Sequence, residues 1–186
     1  MRNTFQIDKS WSLFLDRDGV INERKMDDYV LTPADFVFRE EAERSIAKLS
    51  KLFGPLVVVT NQQGIGKGLM TEHDLHAIHE KMLTGIDSAG GRVDKVYFCP
   101  ELKEAHSFYR KPSPGMALRA KKDFPVIRFR KSVMVGDTIS DMKFGKRLKM
   151  VTVFIGEEKE LISRNYKLID YAFPGLKEFA DFVSVG

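Results

Sequence analysis

Short apolar runs separated by stretches of helical periodicity constrain the fold of this chain most strongly. Each run is rich in β-branched or aromatic residues and is typical of a strand buried on both faces. The runs are SLFLD, LVVVT, KVYFC, SVMVG and VTVFI. Between the first two, Ala42, Ile46, Leu49 and Phe53 keep the spacing of one helix face. Strands that alternate with helices predict an α/β fold with a mostly parallel sheet, covered by helices on both sides.

Two further helices are predicted from their first residues. Thr71, with Asp74 three positions later, has the pattern of a capping box, and the apolar residues that follow keep a helical period. Ser113 followed by Pro114 indicates another start, because proline is accepted in the first turn. The stretch from Asn22 to Arg39 has no clear period, and we expect a loop or flap over one end of the sheet.

Size and composition exclude several classes of protein. A chain of 186 residues with 43% hydrophobic content can bury one sizeable core, so we expect a single domain over residues 1–186. No apolar run approaches the roughly 18 residues that span a bilayer, and the first residues lack the apolar centre of a secretory signal. We therefore expect a cytoplasmic protein with no membrane partner. No exposed apolar heptad indicates assembly, which favours a monomer.

The charge balance is mildly basic. With 30 basic and 26 acidic side chains, the formal charge is +4, and anionic partners are slightly favoured. The basic clusters RAKK, RFRK and KFGKRLK are more typical of solvated faces than of a nucleic-acid surface, so we expect no nucleic-acid partner. The segment GIGKG has neither the dinucleotide-binding nor the phosphate-loop spacing.

Polar side chains follow several of the predicted strands, at the point where each strand ends. They are Asp16 and Asp18 after the first run, Thr60, Asn61 and Gln62 at the end of the second, and Asp137 after the fourth, with Asp141 beyond it. Arg110 and Lys111 precede the third helix. Each group alone has an ordinary explanation as turn or cap chemistry. In a parallel sheet, however, the carboxyl ends of the strands meet at one edge, where reactive groups gather.

The chemistry of this set favours phosphoryl transfer with a divalent cation. Hard cations prefer oxygen ligands, which Asp16, a backbone carbonyl beside it and Asp137 would supply to Mg²⁺. A phosphoryl group next to the ion would need a cation, Lys111, and donors from Thr60 or Asn61. Asp16 would then be the nucleophile.

Four segments resemble the ordered motifs of the haloacid dehalogenase superfamily, and more narrowly its heptose-bisphosphate phosphatase and histidinol-phosphatase branch. They are FLDRDGVIN, VVVTNQQGIGKG, RKPSPGM and MVGDTISDM, within residues 13–22, 56–68, 110–116 and 133–142. The resemblance implies a Rossmann-like three-layer domain without a large cap. It also implies that Asp16 forms an aspartyl phosphate, that Asp18 is the general acid and base, and that Thr60 and Lys111 hold the phosphoryl oxygens. Mg²⁺ would bind the Asp16 carboxylate, the Asp18 carbonyl and Asp137.

The same resemblance bears on the substrate. Asn61, Gln62, Lys67 and Arg110 match positions that contact a sugar and its second phosphate, which favours removal of the 7-phosphate of D-glycero-D-manno-heptose 1,7-bisphosphate. Histidinol phosphate is the alternative within the branch. A polynucleotide 3′-phosphatase shares the pattern TNQ-x-GI-x-[KR]G, and a non-catalytic binding protein on the same fold is also open.

One departure from the branch concerns zinc. Its usual members carry a zinc loop of three cysteines and a histidine before the RKP segment, whereas FCPELKEAHSFYRKP has only Cys99 and His106. We therefore expect Mg²⁺ and no zinc, with Phe98, Phe108 and Tyr109 packing to fix this loop.

Arg17 and a row of histidines are expected to lie outside the chemistry. Two residues that are two apart in an extended chain point the same way, so Asp16 and Asp18 would face the site, and Arg17 would point elsewhere as a structural ion-pair partner. His73, His76 and His79 recur every third residue along a predicted helix, and we expect them on its solvated face.

Overall fold

The computed structural model describes residues 6–25 and 29–184. Its sheet has six parallel strands in the order β3-β2-β1-β4-β5-β6. The strands are β1 (Ser12–Leu15), β2 (Leu56–Asn61), β3 (Lys95–Cys99), β4 (Ser132–Gly136), β5 (Val151–Ile155) and β6 (Tyr171–Phe173). The α/β fold with a parallel sheet and all five strands predicted from the apolar runs are confirmed. The short β6 was not predicted.

Helices cover both faces of the sheet. They are α1 (Ala42–Leu52), α2 (Glu72–Ser88), α3 (Gly115–Asp123), α4 (Ile139–Arg147), α5 (Lys159–Arg164) and α6 (Leu176–Ser184). Along β1, Leu13 and Leu15 pack in the core formed with α1, α2 and α6, whereas Phe14 packs in the core formed with α3 and α4. This alternation follows from the two-residue repeat of a strand. No helix of the described residues is long and apolar enough to cross a membrane.

Two predicted helix starts have different outcomes. The capping box of Thr71 and Asp74 is present at the start of α2. The start of α3 was placed too early, because Pro114 and not Ser113 is the residue before the first turn. The backbone N–H of Ser113 donates to the carbonyl of Arg110 over 2.8 Å, so Ser113 belongs to the preceding turn.

The segment between β1 and α1 is the expected loop in its described part. Asn22 forms single bridges with Asp18 and Phe38, and a short 3-10 turn covers Pro33–Asp35. Phe36 is buried in the core and anchors the segment. Residues 26–28 of the predicted flap lie outside the described residues.

The order of the strands determines where a site can form. From β1 the chain moves outward through β2 and β3, and then returns to place β4 on the other side of β1. Ligands in such sheets bind at the carboxyl ends of the strands, where the direction of winding reverses. The pairing of Leu15 with Val135, and the hydrogen bond of 2.9 Å from the Asp16 N–H to the Val135 carbonyl, bring the ends of β1 and β4 together.

Candidate active site

A cavity of about 700 Å³ lies at this edge of the sheet. Most of the residues predicted to form the site line it, namely Asp16, Asp18, Thr60, Asn61, Gln62, Arg110 and Lys111. Asp137 lies behind the cavity, against a second cavity of about 570 Å³. Lys67 is exposed, with its Nζ 5.1 Å from the centroid of the Tyr29 ring, and does not line the cavity. The structure therefore brings together all but one of the predicted residues.

Lys111 forms a buried ion-pair triad with two carboxylates. Its Nζ lies 2.8 Å from Oδ1 of Asp16 and 2.6 Å from Oδ1 of Asp141, and all three side chains are buried. The backbone of Lys111 is held by the side chain of Asn61, which accepts from its N–H over 3.0 Å and donates to its carbonyl over 3.2 Å. Asn61, predicted to bind phosphate, therefore uses its amide to position Lys111.

The pKa values of this triad reflect a low-dielectric site that is rich in negative charge. Burial raises the pKa of Asp16 to about 7, the charge of Asp141 adds to this, and the ammonium of Lys111 offsets it only in part. Burial opposes the charged form of Lys111, but Asp141 and Asp16 outweigh it and hold its pKa above the ordinary value. The ammonium therefore stays protonated.

Asp141 also takes part in the cap at the start of α4. Its Oδ2 accepts hydrogen bonds from the hydroxyl and the N–H of Thr138, over 2.6 Å and 3.1 Å. This capping box uses one carboxylate oxygen, and Lys111 uses the other. Asp141 therefore orients Lys111 at the start of a helix.

Asp18 is surrounded by hydrogen-bond donors. Its carboxylate accepts from Arg17, from Nδ2 of Asn22 over 3.0 Å, and from Nε2 of Gln62 over 2.8 Å. The same Gln62 nitrogen donates to the hydroxyl of Thr60 over 2.8 Å. Burial acts to raise the pKa of Asp18, but Arg17 and these hydrogen bonds outweigh it and keep the pKa below its ordinary value. Asp18 is therefore a carboxylate in this state.

Two of the sequence expectations near Asp18 are wrong. Arg17 is an ion-pair partner, as expected, but it lines the cavity and pairs with Asp18 itself, instead of pointing away from the site. His79 is buried, not solvated, and its Nε2 lies 3.5 Å from Nη1 of Arg17. Burial, and then the charge of Arg17, lowers the pKa of His79 to about 3, so the ring is neutral. His73 and His76 are exposed as expected.

A cluster of carboxylates fits a divalent cation. One oxygen each of Asp16, Asp137 and Asp141 lie within 4.8 Å of one another. Gly19, with φ of +85°, leaves room for Asp137, because a Cβ there would lie 1.8 Å from Oδ2 of Asp137. Burial raises the pKa of Asp137 to about 6, although the guanidinium of Arg24 opposes the shift. A cluster of three carboxylates supplies hard oxygen ligands of the kind that Mg²⁺ prefers.

The sequence did not single out several residues of the site. Arg24 binds Asp137, and Asn22 binds Asp18. Lys25, Lys103, Ser107 and Lys143 also line the cavity, and so does His106, which the sequence had placed in the shortened loop. The burial of His79 could have been predicted from the sequence, because His79 shares the spacing of the buried face of α2 with Leu75, Met82 and Ile86.

Polar contacts hold the loop that stands where usual members of the branch that this chain resembles carry a zinc site. The thiol of Cys99 donates to Glu101 over 2.7 Å, and Nη1 of Arg110 donates to the Glu101 carbonyl over 3.1 Å. The guanidinium of Arg119 lies 3.7 Å from the centroid of the Tyr109 ring. Phe108 is 53% exposed, so the expected aromatic packing is only partly present.

Comparisons with known proteins agree with this fold. A family model described as HAD-hydrolase-like matches residues 108–176. The chain is 35% identical over 176 residues to D-glycero-alpha-D-manno-heptose-1,7-bisphosphate 7-phosphatase of Mycobacterium bovis, covering 95% of this chain and 92% of that protein. It is 34% identical over 178 residues to the enzyme of the same name from Campylobacter jejuni, covering 94% and 96%.

The solved structures give the same result. A crystal structure of D,D-heptose 1,7-bisphosphate phosphatase from B. bronchiseptica, complexed with magnesium and phosphate, has a TM-score of 0.85 and 25% identity, covering 94% of this chain and 98% of that one. Fold, site and relatives together define a phosphatase of the haloacid dehalogenase superfamily. Within that superfamily, the chain belongs to the family of the heptose-1,7-bisphosphate 7-phosphatases.

Proposed function

We propose that this phosphatase removes the 7-phosphate of D-glycero-D-manno-heptose 1,7-bisphosphate, with Mg²⁺ as cofactor and Asp16 as nucleophile. The observation that carries the proposal is the position of Asp16. Its carboxylate lines the cavity, pairs with Lys111 over 2.8 Å and lies within 4.8 Å of the carboxylates of Asp137 and Asp141. The names of the similar enzymes support the choice of substrate.

The metal would be held by Asp16, Asp137 and the carbonyl of Asp18. When bound, Mg²⁺ offsets the negative charge shared by the nucleophile and the phosphoryl group. Magnesium in the similar B. bronchiseptica enzyme supports this assignment. We expect no zinc, because burial and the hydrogen bond to Glu101 raise the pKa of the Cys99 thiol to about 11, and zinc binds the thiolate.

The protein side chains would divide the reaction into two displacements. Asp16 attacks phosphorus, the bond between phosphorus and the O7 oxygen breaks, and Asp18 gives its proton to that oxygen. A water molecule then attacks the aspartyl phosphate and loses a proton to Asp18, which releases inorganic phosphate and restores Asp16. The carboxylate form of Asp18 in this structure suits the second step, and the negative charge of an incoming phosphoryl group would raise its pKa for the first.

The lining of the cavity suits a second phosphate. Besides Lys111, it includes several other cationic side chains, namely Lys25, Lys103, Arg110 and Lys143. The contact between Arg110 and the Glu101 carbonyl holds one of these cations in place. A bisphosphate would therefore find one cation beside the reacting phosphate and others in the same cavity for its second phosphate.

A polynucleotide substrate fits the distribution of charge less well. The cluster Arg128–Lys131 directly precedes β4 and so lies at the amino edge of the sheet, whereas the cavity lies at the carboxyl edge. The cluster Lys143–Lys149 ends just before β5 at the amino edge, and only its first residue, Lys143, lines the cavity. Most of the positive charge of these two clusters therefore lies away from the site.

Phosphate release from a panel of substrates tests the assignment. The panel contains heptose 1,7-bisphosphate, histidinol phosphate, a 3′-phosphorylated oligonucleotide and p-nitrophenyl phosphate, each with excess Mg²⁺. We expect kcat/KM to be highest on the bisphosphate, and higher kcat/KM on histidinol phosphate or the oligonucleotide would overturn the choice of substrate. Arg110→Ala should lose more activity on the bisphosphate than on p-nitrophenyl phosphate.

The nucleophile and the metal are tested separately. Asp16→Asn should show no turnover and no acid-stable, base-labile phosphoryl label after rapid quenching, although it remains folded. Elemental analysis after dialysis should find no stoichiometric zinc, and a zinc-selective chelator with excess Mg²⁺ should leave activity intact. Turnover by Asp16→Asn would exclude the proposed nucleophile, and one zinc per chain would mean that the loop at Cys99 was misinterpreted.

A further inference from the structure

The guanidinium of Arg24 contacts the same oxygens that are proposed to hold Mg²⁺. Its Nε and Nη2 donate to Oδ2 and Oδ1 of Asp137, each over 2.8 Å. Nη2 also donates to the backbone carbonyl of Asp18 over 3.1 Å. One side chain thus engages both the carboxylate and the carbonyl that would complete a metal site beside Asp16.

The pairing of charges shows why a cation is needed at this position. Asp18 is paired with Arg17, and Asp16 and Asp141 share Lys111. Asp137 is left with Arg24 as its ion-pair partner among the described residues. An ionised carboxylate that is largely buried needs such a partner, or else its charge is strongly disfavoured.

Arg24 is placed so that it can leave without disturbing the fold. Its side chain is 41% exposed, in contrast to the buried Arg17 and Lys111. It lines both the substrate cavity and the second cavity, which also contains Glu23, Glu157 and Glu158. Once released from Asp137, the guanidinium can therefore move into either cavity.

We propose that Arg24 is an internal counter-cation that competes with Mg²⁺ for Asp137 and the Asp18 carbonyl. It holds the carboxylate in place in the metal-free enzyme, and it must withdraw before the metal can bind. The same lone pairs cannot serve a guanidinium and a metal ion at once, so each lowers the affinity of the other. This inference depends on the proposed magnesium site.

Calorimetric titration of the metal-free protein with MgCl₂ tests the competition directly. Arg24→Gln keeps a polar side chain but removes the competing charge, and we expect it to bind Mg²⁺ about 3- to 30-fold more tightly, the range for a paired charge at a partly exposed site. The metal-free variant should melt at a lower temperature than the metal-free wild type. Saturating Mg²⁺ should therefore raise Tm more in the variant.

A neighbouring lysine provides the matched control for the general effect of removing one positive charge near the metal site. Lys25 also lines the cavity but pairs with Asp35 over 2.6 Å. Lys25→Gln removes the same charge one residue away, and we expect its Mg²⁺ affinity to change less than twofold. An equal gain in Lys25→Gln and Arg24→Gln, or no gain in Arg24→Gln, would overturn the proposal. If the wild type binds no Mg²⁺ and hydrolyses substrate in EDTA, the metal assignment itself fails, and the role of Arg24 fails with it.

Discussion

Arg17 and Asp18, although adjacent in the chain, form an ion pair with each other. Nη2 of Arg17 lies 2.8 Å from Oδ1 and 3.0 Å from Oδ2 of Asp18, and Nε lies 3.2 Å from Oδ1. Adjacent side chains of an extended strand point to opposite sides. The strand has already ended at Leu15, and the Arg17 carbonyl accepts from the N–H groups of Val20, Ile21 and Asn22. These hydrogen bonds close a turn, and the turn brings the Arg17 side chain beside Asp18, the proposed acid and base.

The first prediction concerns the removal of that acid and base. Asp18→Asn keeps the size of the side chain but cannot carry a proton between substrate and water, so kcat/KM should fall about 10²- to 10⁴-fold. Phosphate release from heptose 1,7-bisphosphate, whose sugar oxygen needs a proton to leave, measures the loss. Asp181→Asn is the control, because Asp181 is exposed and paired with Lys48 on the surface. A loss below threefold in Asp18→Asn would mean that another group moves the proton.

The second prediction separates the structural and catalytic effects of Lys111. Lys111→Met leaves the buried Asp16 and Asp141 without their shared cation, so the free energy of unfolding should fall by about 3–5 kcal/mol. Activity should also fall strongly, because the phosphoryl group loses its buried ammonium. Urea unfolding and kcat/KM measure the two effects.

A double variant shows whether the two effects are independent. Lys111→Met with Asp141→Asn removes one of the two unpaired carboxylates and should recover part of the lost stability. It should recover no activity, because the ammonium is still absent. A double variant that is as unstable as Lys111→Met alone would contradict the triad.

Sequence reasoning located the site because strand ends are visible in a sequence. Asp16, Thr60 and Asp137 each follow an apolar run, and parallel strands bring their carboxyl ends to one edge. Side-chain pairing is decided by tertiary contacts that no local pattern encodes. Asn61 lies 50 positions from Lys111, and Arg24 lies 113 positions from Asp137, so neither contact could be foreseen. The elements β6 and α5 were missed because each is short, with too few residues to show a period. The helices α4 and α6, of nine residues each, were not predicted either.

The third prediction concerns the close approach of Gly19 to Asp137. An alanine there would be strained at φ of +85°, and its Cβ would lie 1.8 Å from Oδ2 of Asp137. Gly19→Ala should therefore displace Asp137, lower stability by about 1–3 kcal/mol and weaken Mg²⁺ binding. Thermal unfolding and calorimetric titration with MgCl₂ measure the two losses.

Gly90 is the matched control for backbone strain. Its φ is +76°, and a Cβ added there would meet no atom within 4 Å. Gly90→Ala should lose similar backbone stability but keep the wild-type affinity for Mg²⁺. If both variants kept that affinity, Asp137 would not depend on the space that Gly19 leaves.

The last prediction is a pH dependence of stability that arises from His79. Its pKa is about 3 in the folded protein, because burial and Arg17 disfavour the charged ring, against about 6.5 in the unfolded chain. Between these values the unfolded state binds the extra proton, so the contribution of His79 is present above pH 6.5 and is lost as the pH falls. From pH 7.5 to 5.5 the free energy of unfolding should drop by about 1.4 kcal/mol from this group. The raised pKa values of Asp16 and Asp137 act in the opposite direction over the same range in every variant, so the test is a difference between proteins. From pH 7.5 to 5.5 the free energy of unfolding, measured with urea, should fall by about 1.4 kcal/mol more in the wild type and in His73→Gln, whose histidine is exposed, than in His79→Gln. An equal drop in all three proteins would show that His79 can be protonated in the folded state.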